Sequence, residues 1–148
     1  ARTDVPVAAD ESIRKAADPR AVVRAHAADI AVLKVAPLGG VRAVLDIAAQ
    51  IDVPVVISSA LDSAVGMAAG LVAAAALPRL EYACGLGTGG LFVEDVAEIT
   101  VVDGCLGVAD VVPDPARLAD LAAPAARRDW WIARIRDCLP LLVGEDAS

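Results

Sequence analysis

Short β-type runs alternate with helical patterns along this chain, and the alternation repeats about every 25 residues. Val5-Pro6-Val7-Ala8-Ala9, Ile30-Ala31-Val32-Leu33-Lys34, Val53-Pro54-Val55-Val56-Ile57 and Glu81 to Cys84 read as strands. The proline of the third run sits at its start, where a missing N–H is tolerated. Asp18-Pro19 predicts an N-cap and a first helical position, opening a helix to about Ala27. Gly39-Gly40 precedes a helix to about Ile51, with Val41, Val44, Leu45 and Ala48 on one face. A third helix is predicted from about Ser63 to Leu77. Strand–helix units at this spacing build parallel sheets from βαβ crossovers. Four such units make half of an eight-stranded (β/α) barrel, which typically takes ~250 residues.

The pattern breaks after Cys84. Gly85-Leu86-Gly87-Thr88-Gly89-Gly90 reads as a loop. A hairpin is expected from Glu98–Val102 and Cys105–Ala109 around Asp103-Gly104. A helix should follow Asp114-Pro115, and another should run from about Ala126 to Leu142, with Gly144 to Ser148 as a disordered tail. Residues 1–91 are thus expected to form the second half of a barrel. Residues 92–148 should form a hairpin and helices packing on it or on a capping domain.

Composition fits buried parallel strands. The chain is 57% hydrophobic but only 3% aromatic, so its apolar content is mainly Ala, Val, Leu and Ile. The net charge of −7, with no basic patch, argues against a nucleic-acid partner. The longest apolar run, Met67 to Pro78, is shorter than the ~20 residues a bilayer needs, so no membrane partner is expected. Cys84, Cys105 and Cys138 are odd in number and form no CxxC pair, which predicts reduced thiols in a cytoplasmic protein. The opening Ala1-Arg2-Thr3-Asp4 carries no Met and runs almost directly into a strand, as a processed N-terminus or a fragment would.

Barrel active sites lie at the C-terminal ends of the strands. There the chain places Asp10-Glu11-Ser12, then Lys34, then Ser58-Ser59 with Asp62 close behind, then the glycine-rich loop. Asp10 at a strand end can bind a hard divalent cation through oxygen. Lys34 ends an otherwise apolar strand, and a lysine there either snorkels or serves the site; the second reading is preferred. Glu11 is expected to support the Asp10 loop rather than ligate metal. Asp62 is expected to cap the Ser63 helix rather than act on substrate. His26 falls within a helix and reads as a surface or packed histidine. Trp130 and Trp131 read as packing anchors. The glycine-rich loop lacks the lysine of a phosphate-binding loop and reads as a plain loop contacting substrate through its backbone.

Four segments in order carry a resemblance: Val7-Ala8-Ala9-Asp10-Glu11-Ser12, Ala31 to Gly40, Val56 to Ser63, and Ala83 to Phe92. They resemble strands five to eight of the o-succinylbenzoate synthases, dehydratases of the enolase superfamily. The actinobacterial branch is similar even in the Arg127-Arg128-Asp129-Trp130-Trp131-Ile132 stretch. The resemblance implies the α/β fold of that superfamily, here the C-terminal half of its TIM-type barrel plus a C-terminal capping segment. It implies a Mg²⁺-dependent lyase. The reaction removes water from 2-succinyl-6-hydroxy-2,4-cyclohexadiene-1-carboxylate to give o-succinylbenzoate, on the way to menaquinone. By the same resemblance Asp10 is the third metal ligand and Lys34 one of two acid/base lysines. Ser58, Ser59, Gly85 and Gly87 lie where the family contacts its small carboxylate substrate.

The family's Lys-x-Lys strand and its first two metal ligands would lie upstream of Ala1. The chain alone is therefore expected to be inactive, and to need a missing N-terminal half or a homo-oligomer as partner. An N-acylamino acid racemase of the same superfamily is the alternative activity. A non-catalytic half-barrel that binds a partner is the alternative class. The Asp-x-Asp of dipeptide epimerases is replaced here by Gly85-Leu86-Gly87, and the strand-seven histidine of mandelate-racemase-like enzymes has no counterpart.

Overall fold

The computed structural model describes residues 3–143. Its centre is β2 (Ile30–Lys34), four of whose five residues are buried. Burial on both faces explains why this run is unbroken by polar residues before Lys34. β1 (Ala8–Ala9) pairs with it on one side and β3 (Val55–Ser58) on the other, both parallel. Spatial order thus follows chain order, as in the wall of a (β/α) barrel. The crossovers carry α1 (Asp18–Arg24) and α2 (Val41–Ala48), and α3 (Ala64–Ala76) follows β3.

The strands present two different faces. Ala31, Leu33, Val55 and Ile57 point toward the helices and join Val44, Ile47, Met67, Leu71 and Ala73 in the core. Leu33, Ile57 and Val44 are fully enclosed, and each such side chain contributes roughly 1.5–3 kcal/mol through burial. Alternate residues, among them Val32, Lys34 and Ser58, face the other side, where a closed barrel has its interior.

The ends of these elements differ from a simple reading of local signals. Asp18 does not cap α1; its carboxylate turns back to accept from the N–H groups of Arg14 and Lys15, and the N-cap is Ala17. Those two bonds hold the Asp18 carboxyl below its ordinary value. α1 stops at Arg24, and His26 adopts φ 48°, so this histidine lies in the turn after the helix rather than within it.

The first strand is shorter than the run Val5–Ala9. Pro6 has no N–H to pair, and the Val7 N–H is taken by the Asp29 carboxylate at 2.8 Å instead of a neighbouring carbonyl. Glu81–Cys84 does not form a strand either. The chain meets the sheet only at Gly85, in a single parallel bridge to Ser58. A Cβ at Gly85 would lie 2.8 Å from Ser58 Oγ, so the close approach to β3 at this bridge favours glycine.

Beyond it come a 3₁₀ turn at Thr88–Leu91, an antiparallel hairpin of β4 (Val101–Val102) and β5 (Cys105–Leu106), and α4 (Pro115–Asp120). The hairpin turns at Asp103 and Gly104, both at positive φ, but pairs over fewer residues than Glu98–Ala109. Asp114 caps α4 through the N–H groups of Ala116 and Arg117. α5 (Ala125–Val143) follows. Within this chain Trp130 and Trp131 are both about half exposed, set edge-on at 4.8 Å with the Arg127 guanidinium over them. Among the residues whose burial is described, none of α5 belongs to the core. The tail from Gly144 lies outside the described residues.

Candidate functional site

Neighbouring parallel strands bring their C-terminal ends together, and that is where the polar residues meet. Asp10 follows β1 and Lys34 ends β2; Lys34 Nζ stands 2.7 Å from Asp10 Oδ1 and 3.7 Å from Glu11 Oε1. The lysine is only 9% exposed. A buried ammonium requires such partners, because desolvating it alone costs several kcal/mol. Glu11 also pairs with Arg14, three residues on.

Asp10 Oδ1 is itself buried, and its approach to Lys34 has ion-pair distance without hydrogen-bond alignment. A buried carboxylate oxygen with an unused lone pair is a natural hard-cation donor. Among the described residues no three His, Cys, Asp or Glu side chains converge to hold a metal.

Ser58 stands in register beside Lys34 and shares its face. Its hydroxyl is 3.3 Å from the Gly85 carbonyl and half-buried. Asp10, Lys34 and Ser58 thus form one row across three adjacent strand ends. Ser59 turns to the opposite side. It is 6% exposed, and its hydroxyl is engaged with Gly85 O at 3.1 Å and Thr88 Oγ1 at 2.6 Å. Gly85 is held against this strand end. Gly87 is not: a Cβ there would meet nothing within 4 Å, and the residue lines a separate cavity of about 710 Å³ between the 3₁₀ turn, the hairpin and α4. Asp10, Lys34, Ser58 and Ser59 all lie outside that cavity. The strand-end row is distinct from that cavity and brings a buried lysine beside a carboxylate.

Asp62 does not cap α3; its carboxylate accepts from the Ala60 N–H at 3.0 Å. The cap comes from Asp95, which accepts from the Ala64 N–H at 2.7 Å. Asp95 and Thr88 carry no local sequence signal, because their partners lie 31 and 29 residues away. His26 sits in the turn leading into β2, at the opposite end of the strands.

Residues 1–113 match the family model described as enolase C-terminal domain-like. The chain belongs to this enolase family. Its α/β architecture is accordingly part of the family's barrel. It is 73% identical over 143 residues to the o-succinylbenzoate synthase of Mycolicibacterium smegmatis, covering 96% of this chain and 44% of that protein. It is 75% identical over 142 residues to the o-succinylbenzoate synthase of Mycobacterium marinum, covering 95% and 43%. The chain therefore spans less than half the length of these curated relatives. The muconate lactonizing enzyme from Pseudomonas putida superposes with a TM-score of 0.74 at 30% identity, over 82% of this chain and 37% of that one. An N-succinyl Arg/Lys racemase from Bacillus cereus gives a TM-score of 0.69 at 21% identity, over 81% and 34%, a likeness of fold alone.

Proposed function

We propose that the protein carrying this chain is an o-succinylbenzoate synthase, a lyase that eliminates water from a hydroxylated cyclohexadiene carboxylate. The observation that carries the reading is the 73–75% identity to two o-succinylbenzoate synthases across nearly all of this chain. The strand-end row supports it chemically. Elimination removes the proton from the ring carbon bearing the carboxylate and releases the hydroxyl from the adjacent carbon as water. Negative charge builds on the substrate carboxylate as that proton leaves. The Lys34 ammonium, buried and fixed by Asp10, is a preorganised positive charge for it. A lysine in this position can also hold or return a proton at Nζ.

Asp10 would contribute a carboxylate ligand to Mg²⁺, with further ligands from outside this chain; the bound cation would supply positive charge to the substrate carboxylate. Ser58 is a hydroxyl contact for the succinyl side, and the Gly85 backbone lies against it. Ser59 anchors the loop that carries them. Cys84, Cys105 and Cys138, all free thiols, suit a cytoplasmic enzyme of menaquinone synthesis.

The test is an assay of the full-length protein with the cyclohexadiene substrate, following o-succinylbenzoate by ultraviolet absorbance, with Mg²⁺ and with a chelator. Turnover should require Mg²⁺ and be lost in the chelator. An absence of o-succinylbenzoate beside racemisation of N-succinylamino acids overturns the reading.

A further inference from the structure

The β3–α3 loop carries Ser58 at its root and contains a strained residue. Leu61 adopts φ 63°, a left-handed conformation that side chains other than those of Gly, Asn and Asp rarely take. Such a residue persists only where its surroundings over-determine it. Two carboxylates do so here. Asp62 accepts from the Ala60 N–H on one side of Leu61, and Asp95 accepts from the Ala64 N–H on the other. Ser63, the N-cap residue of α3, makes no side-chain capping bond, so Asp95 supplies the cap from 31 residues away. The loop also lies directly on the first turn of α3: a Cβ at Gly66 would come 2.7 Å from Asp62 Cβ.

Asp95 is fixed in turn. Its other carboxylate oxygen accepts from the Val96 N–H at 2.6 Å, and the Val96 carbonyl accepts from the Asp114 N–H at 2.8 Å. Arg117 reaches the Asp95 carbonyl at 3.4 Å while pairing with Glu98 at 2.6 Å. The segment from Gly85 to Asp95 therefore grips the β3–α3 loop at both ends, through Gly85 and Thr88 at Ser58–Ser59 and through Asp95 at Ala64.

We propose that Asp95 is a positioning residue for the proposed reaction: by capping α3 from the C-terminal segment it locks the strained β3–α3 loop and so sets Ser58 toward the substrate. The proposal rests on the reading of Ser58 as a substrate contact. In this reading Asp95 acts through the backbone it holds.

The experiment compares Asp95→Ala, Asp95→Asn and Ser58→Ala in the full-length protein. Two quantities are read: amide exchange of the 59–67 segment without substrate, and KM and kcat for o-succinylbenzoate formation. Loss of an N-cap should speed exchange in Asp95→Ala about fivefold. KM should rise by a similar factor, with kcat changed less than about twofold, because a misplaced binding group weakens ground and transition states alike. Asp95→Asn keeps one acceptor oxygen and should fall between wild type and alanine in both readouts. If the alanine variant does not fold, the asparagine variant carries the test. Wild-type exchange, or faster exchange with an unchanged KM, overturns the proposal. So does a drop in kcat as large as the rise in KM. A raised KM in Ser58→Ala beside an unaffected Asp95 series overturns this proposal alone. An unchanged KM in Ser58→Ala overturns the Ser58 reading and this proposal with it.

Discussion

Replacing Lys34 with methionine separates its structural role from its chemical one. The side chain keeps its length and packing and loses its charge. Breaking a fully buried ion pair costs ~3–5 kcal/mol, whereas an exposed pair contributes about 0–1. This pair is mixed: the Lys34 side chain is 11% exposed, but that of Asp10 is 44% exposed, so water can relieve the orphaned carboxylate. A stability loss of ~1–2 kcal/mol is expected, lowering Tm by about 2–4 °C per kcal/mol in a protein of 150–250 residues and by less in a longer one. The chemical loss should be larger. A positioned acid/base or charge-stabilising group contributes at least ~10², or about 2.7 kcal/mol at 1.36 per decade. Lys34→Met in the full-length protein should therefore remain folded at 25 °C while kcat falls by ~10² or more with KM little changed. Thermal melts and steady-state turnover on the same preparation decide it. A kcat within tenfold of wild type would refute the catalytic argument. So would an activity loss that disappears once corrected for the unfolded fraction, or one confined to KM.

Asp10→Ala in the full-length protein should abolish Mg²⁺-dependent turnover and weaken Mg²⁺ binding by calorimetry, since it removes the buried Oδ1 donor; unchanged affinity would show that Asp10 is not a ligand. Gly70→Ala places a Cβ 2.6 Å from Leu86 Cδ2. Overpacking costs ~1–3 kcal/mol against about 1 gained in helix propensity, so a melt should show destabilisation of up to ~2 kcal/mol, and a stabilised variant would contradict the packing. The Asp114 carboxyl, accepting from Arg117 N–H and Ala116 N–H, is held below its ordinary value of 3.8. Its folded value is the lower one, so its contribution is complete above the unfolded value and fades as pH falls through the folded value. Asp114→Asn should flatten that acid dependence of α4 amide exchange; an identical acid profile in wild type and variant would exclude the cap. The 148-residue chain produced alone should self-associate and lack activity, because Val5, Trp130, Ile135 and Leu139 are exposed and the sheet edges are open; a monomer in sedimentation with a sharp melt would contradict this.

Much of this protein is decided by local pattern. The buried run Ile30–Lys34 could only be a strand covered on both faces, and the Ala-rich stretch from Ala64 could only be a helix packed closely on it. A strand–helix period then forces parallel neighbours, and parallel neighbours carry Asp10, Lys34 and Ser58 to one end. The row of candidate residues was legible for that reason: its geometry follows from period and register. What the sequence left open depends on partners far along the chain. Asp18 and Asp62 look like caps by position, but each carboxylate found a nearer N–H in its own turn. Asp95 has no capping signature, yet it is brought to Ala64 by the packing of the C-terminal segment. Two adjacent serines look equivalent in sequence, and the pleat of β3 sends Ser58 to the site face and Ser59 into contact with Thr88. Glu81–Cys84 has the composition of a strand, but a strand needs a backbone at pairing distance along its length, and here the chain meets β3 at Gly85 alone. Local chemistry chooses the element. Which polar group satisfies which backbone atom is settled only when the whole chain has packed.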